Sequence, residues 1–236
     1  MVSYQQLLDE ARSASKWIID LRRQLHRFPE LKYEEFKTSQ LVQNTLNQLG
    51  IPFVSGLAET GVMATLGTGD SPCVALRADM DALPIHEQTG LEYKSKTDGA
   101  MHACGHDGHT AMLLGAAKYL AETRNFDGTV VVIFQPAEEG GGGGREMCED
   151  GMMDRWGIQE VYGMHNWPGR PVGSFAIRSG AFFAATDQFD ITFTGKGGHA
   201  AKPHETIDST VMAAQAVLAL QTIAARNADP VHQIVV

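Results

Sequence analysis

The segment 101–109 holds the densest group of side chains in the sequence that could bind a metal ion. Cys104 and His106 are two residues apart, so a loop can direct both at one site. Thiolate and imidazole suit Zn²⁺, Co²⁺ or Ni²⁺ better than Mn²⁺. Asp107 and His109 lie close enough to be further ligands or to orient the first two. The segment therefore predicts a metal site, with a loop of hydrogen-bonding histidines and one buried cysteine as the alternative.

A second group, Glu138 and Glu139, follows directly after an apolar run that ends at Phe134. Open α/β sheets bind their ligands at strand ends. Adjacent carboxylates point in different directions, so one can bind a metal while the other moves a proton. An acidic surface turn is the alternative, although the position after an apolar strand argues against it. The five glycines at 140–144 lack the Lys-Ser/Thr of a phosphate-binding loop, which excludes that kind of site.

Four further residues fit such a site by type and position. His165 follows a short apolar stretch and is either a ligand or a core histidine. Asp79 and Asp81 come just after a predicted strand, where they either orient ligating histidines or cap the next turn. His199 lies on a glycine-rich loop, where a solvated histidine is the alternative. The sequence has no Gly-x-Ser-x-Gly motif and so does not predict a serine hydrolase.

The apolar pattern predicts the elements that would position these residues. Apolar residues at a helical period indicate amphipathic helices, and short apolar runs bounded by Gly, Pro or Asp indicate buried strands. The predicted helices are residues 4–26, 34–49 and 110–123, and the predicted strands are residues 61–66, 73–76 and 128–134. Five consecutive apolar residues in the last strand are typical of a central strand covered on both faces. We therefore expect an α/β domain.

The pattern changes near Gly180. Residues 188–194 alternate apolar and polar side chains, as a strand with one wet face does. A long helix at 207–227 and another strand at 231–236 would complete the opening of an α+β layer. We expect one domain at 1–180 and the first part of a second at 181–236. Because the sequence stops inside a strand, we also expect a truncated chain.

The composition limits the class of partner. The chain has 236 residues, of which 43% are hydrophobic and 20% charged, so it is not expected to be disordered. Its 28 acidic and 19 basic residues give a net charge of −9. No basic face is therefore available to neutralise phosphates. We expect neither nucleic acid nor an anionic membrane surface as a partner.

Cysteine usage and the N-terminal residues indicate a compartment. Cys73, Cys104 and Cys148 form no disulfide framework, which favours a reducing environment. The first residues lack the basic and apolar regions of a signal peptide. No apolar run approaches the ~18 residues of a membrane span. We therefore expect a cytoplasmic protein.

Six segments, in order along the chain, together resemble the M20 metallopeptidase and amidohydrolase family in its aminoacylase-like branch. They are residues 25–31, 77–84, 101–109, 135–140, 163–168 and 195–204. This branch includes hippurate hydrolases, N-acyl-amino-acid amidohydrolases and plant indoleacetyl-amino-acid hydrolases. The resemblance implies an α/β catalytic domain with a mostly parallel central sheet and helices on both faces. It also implies an inserted α+β lid or dimerisation domain, whose start fits the change near Gly180.

The resemblance also implies a role for each candidate residue. Two divalent ions (Mn, Zn, Co or Ni) would be bound by Cys104, His106, Glu139 and His165. Glu138 would be the general base that activates water and then protonates the leaving amine, and Asp81 would support the ligands. His199 would match a lid histidine that reaches across a dimer to the oxyanion. Where peptidase branches have a ligand histidine, this branch has Asp79, and His106 would take over that role.

The function implied by the resemblance is hydrolysis of N-acyl amino acids by a metal-dependent, homodimeric amidohydrolase. A dipeptidase or aminopeptidase of the same family is the first alternative. The family's last metal ligand is a histidine that normally lies well beyond position 236. A metal-binding fragment without turnover is therefore the second alternative.

Overall fold

A computed structural model describes residues 3–67, 72–183, 185–232 and 234–236 of the chain. The chain divides into two compact units, Met1–Gly169 and Arg170–Val236. The first unit contains the sheet and every candidate metal ligand, and the second contains His199.

The first unit is built on a five-stranded mixed sheet. Its strands are β1 (Phe53–Leu57), β2 (Gly61–Gly67), β3 (Cys73–Asp79), β4 (Thr129–Gln135) and β5 (Glu160–Gly163), in the order β1-β2-β4-β3-β5. Strand β3 runs parallel to β4 and β5, whereas β2 pairs antiparallel with β1 and β4. The carboxyl ends of β3, β4 and β5 therefore meet at one edge of the sheet, where open α/β folds bind ligands.

Helices cover both faces of this sheet, as the α/β prediction requires. They are α1 (Tyr4–Arg27), α2 (Phe36–Gln48), α3 (His106–Thr123), α4 (Gly143–Glu149) and α5 (Met152–Trp156). Side chains alternate along β4, so Val132 and Phe134 pack with α2 and α3, while Val131 and Ile133 pack on the opposite face near α4 and α5. Strand β4 is thus apolar on both faces, which confirms it as a central strand.

The strongly periodic elements are confirmed, and the short ones were not predicted. Helices α1, α2 and α3 and strands β2, β3 and β4 overlap the predicted segments. Helix α3 begins four residues earlier than predicted, at His106, and β3 extends three residues further, to Asp79. Strand β1 was missed because it is mostly exposed and contains Ser55 and Gly56, which give it no apolar run. Helices α4 and α5 were missed because they are short and follow the glycine run.

The second unit has the predicted helix but not the predicted strands. Helix α6 (Ser209–Thr222) continues into a π-helical turn, Ile223–Asn227, and the Asp208 side chain caps its start by accepting from Thr210 N–H. The strands expected at 188–194 and 231–236 are wrong for the described residues, and Gln233 lies outside them. An alternating segment becomes a strand only where a neighbour completes its ladder. In this unit the described residues form one bridge, Lys196–Ile207.

Membrane insertion has no support from the helices of the described residues. None of them combines the length and the apolar composition needed to cross a bilayer.

The central strand gives a test of the core. We expect Phe134→Ala to lower the free energy of unfolding by about 3–5 kcal/mol, because the ring is fully buried and its removal leaves a cavity. The control is Phe36→Ala on α2, where the ring is 62% exposed, with an expected loss of about 0.5 kcal/mol or less. Urea unfolding measures both, and equal losses would contradict the assignment of β4 to the core.

Candidate metal centre

The candidate ligands converge at the sheet edge formed by the carboxyl ends of β3, β4 and β5. Glu138 and Glu139 follow β4, and His165 follows β5. His106 opens α3, and Cys104 lies on the loop before it. The Cys104 Sγ atom is 3.4 Å from His165 Nε2. The sheet therefore brings together residues from three separate segments of the sequence.

His106 is the centre of this cluster. Three overlapping groups offer ligand atoms that all lie within 4.8 Å of one another, and each group contains His106. The groups are Cys104–His106–His165, Asp79–His106–His109 and His106–Glu138–Glu139. The His106 Nε2 atom is 3.8 Å from Glu138 Oε2 and 4.0 Å from Glu139 Oε1. The other three residues predicted as metal ligands, Cys104, Glu139 and His165, thus each share a ligand group with His106.

The hydrogen bonding of His106 leaves that nitrogen available to a cation. Its Nδ1 lies 2.9 Å from the carbonyl oxygen of Asp81, which can only accept, so Nδ1 carries the proton. The Nε2 atom is buried and has no hydrogen-bond partner in the described part of the chain. A buried polar atom without a partner is costly, and a metal ion would satisfy it. The residues present therefore fit a metal ion.

The charge around His106 also favours a cation. Burial raises the pKa of the Cys104 thiol to about 12, and the nearby carboxylates, Glu139 first, add to the shift. Burial likewise raises the pKa of Glu138, and the neighbouring Glu139 and Asp79 reinforce it. Burial alone would lower the pKa of His106, but Asp81 and Asp79 raise it instead. Besides burial, neighbouring carboxylates contribute to all three shifts, and a divalent ion would offset their negative charge.

Asp81 connects two of the candidate ligands. Its Oδ1 atom is 3.2 Å from His106 Nδ1, and its Oδ2 accepts a hydrogen bond of 2.8 Å from the backbone N–H of Glu139. Both carboxylate oxygens of this fully buried side chain are therefore used for orientation. An aspartate in this position holds an imidazole and a carboxylate in a fixed relation.

Asp79 is held by cationic and polar neighbours rather than by a single partner. Its Oδ1 atom is 2.6 Å from His109 Nδ1, and its Oδ2 is 2.8 Å from Arg77 Nη1. The backbone N–H of Asn166, next to His165, donates to His109 Nε2 at 3.1 Å. Burial would raise the pKa of Asp79, but the bond with His109 and the charge of Arg77 hold it well below its usual range. Asp79 is therefore an anion that holds His109 of α3, and His109 in turn contacts the loop after β5.

Sequence reasoning assigned no role to Arg77 or Asn166, although both lie next to candidates. Asn166 packs directly against Gly105. A β-carbon at Gly105 would lie 2.5 Å from Asn166 Oδ1, which is too close for any side chain. Gly105 also has φ +91°, a conformation that side chains disfavour. The glycine therefore lets the Cys104 loop approach the loop after β5. Neither contact could be inferred from spacing along the chain.

The structure places Asp107 away from the three ligand groups. Its buried Oδ2 lies 2.7 Å from His26 Nδ1 and 2.8 Å from Arg22 Nε, both on α1. The other ring nitrogen of His26 is 3.2 Å from Glu87 Oε1. Asp107 thus connects the start of α3 to α1. His199, in the second unit, accepts a hydrogen bond at Nδ1 from Ala201 N–H, at 3.1 Å.

Comparison with known protein families gives one match that covers most of the chain. The model of peptidase family M20/M25/M40 matches residues 75–235. The chain is also similar to a crystal structure from Bacillus subtilis that is described as a dinuclear metal binding peptidase from the M20 family, with a TM-score of 0.65 and 44% identity. That match covers 69% of this chain and 46% of the other.

Two curated relatives extend over almost the whole chain. IAA-amino acid hydrolase ILR1-like 2 of Arabidopsis thaliana is 49% identical over 98% of this chain and 53% of its own length. N-acetyl-L-cysteine deacetylase of Bacillus subtilis is 47% identical over 92% of this chain and 52% of its own length. The chain therefore spans about half the length of these relatives.

The buried pair of His26 and Asp107 gives a prediction on pH. The hydrogen bond to Asp107 raises the pKa of His26, with Glu87 assisting, against the opposing effects of burial and of Arg22. The pair therefore stabilises the fold fully below the unfolded pKa of about 6.5, and this contribution is lost as the pH rises through the higher folded pKa. We expect the loss of unfolding free energy in His26→Gln to be largest at about pH 6 and to shrink towards about pH 9.

The control for this prediction is the exposed pair of His86 and Asp98, whose atoms lie 2.8 Å apart. His86→Gln is expected to have an effect near zero at every pH, because solvent screens an exposed ion pair. Urea unfolding with a metal chelator present measures both variants. A His26→Gln loss that grows with pH would contradict the assigned direction.

Proposed function

The chain belongs to peptidase family M20/M25/M40, and from this premise we propose that it forms the metal-binding part of an amidohydrolase acting on N-acyl amino acids. One observation carries the proposal. The Nε2 atom of His106 is buried and without a hydrogen-bond partner among the described residues, within reach of thiol, imidazole and carboxylate groups. This donor set suits a divalent transition metal.

We propose that two divalent ions, of Mn, Zn, Co or Ni, would be held by Cys104, His106, Glu139 and His165. The three ligand groups together offer seven residues, more than a single four-coordinate ion needs. The similarity of this chain to a structure described as a dinuclear metal binding peptidase supports two ions. When bound, such ions polarise a carbonyl group and lower the pKa of water.

Glu138 has the environment that a general base needs. Its side chain is 41% exposed, whereas that of Glu139 is 25% exposed, so Glu138 is the carboxylate more open to solvent. Burial raises its pKa, which brings the carboxylate closer to the range where it exchanges protons at neutral pH. Glu138 would accept a proton from the attacking water and donate it to the amine nitrogen as the amide C–N bond breaks. Water thereby supplies the hydroxyl of the new acid and a proton of the new amine.

The substrate class is inferred from the relatives. One is named as a hydrolase of IAA-amino acids and another as a deacetylase of N-acetyl-L-cysteine. Both names describe an acyl group joined to the nitrogen of an amino acid. We propose the same class of substrate here.

The second unit would complete the site in an assembled protein. His199 would stabilise the oxyanion from a lid, and a homodimer would form through that lid. The free thiols of Cys73, Cys104 and Cys148 favour a reducing compartment such as the cytoplasm. These assignments rest on the family resemblance and on residue type.

Turnover of a substrate panel tests the function. Hippurate and N-acetyl amino acids are compared with free-amino dipeptides, using both the 236-residue chain and any longer product of its gene. We expect cleavage of the N-acyl substrates, and Glu138→Gln is expected to lower kcat by about 10²–10⁴-fold while the metal content is unchanged. Cleavage confined to the dipeptides would favour a peptidase, and full turnover by Glu138→Gln would refute the assigned base.

Metal content gives a test that needs no turnover. We expect His106→Ala to lower the metal retained after desalting by about tenfold or more, because this residue is shared by all three ligand groups. The matched control is His86→Ala, an exposed histidine of the same unit, with wild-type metal content expected. Elemental analysis measures both. Equal metal in wild type and His106→Ala would exclude the proposed centre.

A further inference from the structure

The turn that presents Glu138 and Glu139 has an unfavourable backbone conformation. Ala137, directly before them, has φ +51°, in the left-handed region that residues with a β-carbon rarely adopt. Its side chain is fully buried at the end of β4. Such a residue keeps this conformation only where its surroundings hold it there. The groups that hold Ala137 therefore control where the two carboxylates point.

Glu35 holds the backbone of Ala137 from a distant part of the sequence. Its Oε1 atom accepts a hydrogen bond of 2.9 Å from Ala137 N–H, and its Oε2 accepts one of 2.6 Å from Thr60 Oγ1. The Glu35 side chain is fully buried, and Thr60 lies directly before β2. The carbonyl oxygen of Ala137 is held as well, because it accepts from Gly143 N–H at 3.1 Å. Both polar backbone groups of Ala137 thus have a partner.

Tyr33 makes a second contact with the same turn. Its hydroxyl donates to the carbonyl oxygen of Gly141 at 2.7 Å, and Tyr33 itself has φ +63°. A β-carbon at Gly141 would lie 2.6 Å from Ala137 Cβ and 2.9 Å from Tyr33 Cε2. The turn and the segment before α2 are therefore packed as closely as a glycine allows. Gly141, in the glycine run after Glu139, therefore allows this close contact.

We propose that Glu35, assisted by Tyr33, is a positioning residue that clamps the turn of residues 136–143 and so sets the position of Glu138. This inference rests on the proposed function, because it assigns importance to the placement of the base. Glu35 is about a hundred residues before Glu138 in the sequence and is absent from all three ligand groups. Its action passes through the backbone of Ala137, and it has no direct role in binding metal or substrate.

Three variants separate this role from a general loss of stability. Glu35→Ala leaves Ala137 N–H and the Thr60 hydroxyl without their acceptor. Glu35→Gln keeps an amide oxygen for Ala137 N–H, and the Thr60 hydroxyl can rotate to accept from the amide NH₂. Glu34→Ala removes the neighbouring glutamate, which is exposed, and serves as the matched control.

Kinetics with N-acetyl amino acids form the first arm of the test. We expect Glu35→Ala to lower kcat by about 10–100-fold, with KM changed by less than about threefold and metal content unchanged, because a small displacement of a reacting group is enough for such a loss. Glu35→Gln and Glu34→Ala are expected to keep kcat within about threefold of wild type. A fall in kcat accompanied by a change in KM beyond about threefold or by a loss of metal would indicate a merely structural role and overturn the proposal.

Hydrogen exchange read by mass spectrometry forms the second arm and needs no turnover. Amide exchange in peptides covering residues 135–143 is expected to rise in Glu35→Ala, while peptides of α3 stay protected as in wild type. If Glu35→Ala exchanges amide hydrogens in this turn at the wild-type rate, Glu35 does not clamp the turn. If exchange is faster but kcat stays at the wild-type value, the clamp does not position Glu138. If wild type cleaves no N-acyl substrate, the proposed function fails, and the exchange arm still decides whether the clamp exists. If Glu35→Ala does not fold, Tyr33→Phe carries both arms, with a smaller local rise in exchange and a smaller fall in kcat expected.

Discussion

The hydrogen bond between His106 Nδ1 and the backbone carbonyl of Asp81 is the interaction on which the candidate site depends. It places the proton on Nδ1 and directs the lone pair of Nε2 into a buried space that lacks a protein partner among the described residues. A backbone carbonyl oxygen can only accept a hydrogen bond, so in this ring orientation the proton must lie on Nδ1. The other candidate ligands lie around that lone pair. The carbonyl in turn follows β3, so the sheet determines the direction of the imidazole.

The sheet edge also explains why the ligands come from distant segments. Parallel strands end at the same edge, so the loops after β3, β4 and β5 and the start of α3 must meet there. Each loop then needs a local device to hold its polar side chains against that edge. Gly105 allows the Cys104 loop to approach Asn166, and Ala137 adopts a left-handed conformation before the two glutamates. The sheet brings the loops to one edge, and these local contacts determine how each loop is oriented there.

The apolar pattern was sufficient to predict the parts of the structure that are regular. Helices α1, α2 and α3 and strands β2, β3 and β4 each have a run long enough for the period to be recognised. The four predicted metal ligands were grouped by the family resemblance, and residue type and position near strand ends or before a helix singled out each of them as a candidate. By contrast, the strand expected at 188–194 has the right alternation but no ladder partner among the described residues. The sequence shows which face of a strand would be buried, but the strand forms only where a neighbouring strand completes its hydrogen-bond ladder.

The supporting residues could not be predicted, for a different physical reason. Glu35 and Arg22 act across 102 and 85 residues of sequence, and their partners are a backbone N–H and a carboxylate that spacing does not reveal. Glu35 looks like any glutamate in the first turn of a helix until the fold buries it. Recognising such a residue requires the contact itself, because neither its type nor its neighbours are unusual.

The distribution of charge shows where an external cation belongs. Asp79 is paired with Arg77 and His109, and Asp107 with Arg22 and His26, so both of these carboxylates have a cationic partner within the protein. Glu138 and Glu139 differ, since their only ion-pair partner in the described part of the chain is His106, at 3.8 and 4.0 Å. Partial burial, with the neighbouring Glu139 and Asp79 assisting, raises the pKa of Glu138, so that carboxylate is costly to ionise without a cation nearby. Glu138 and Glu139 therefore lack the strong cationic partner that Asp79 and Asp107 have, and a bound divalent ion would supply that charge.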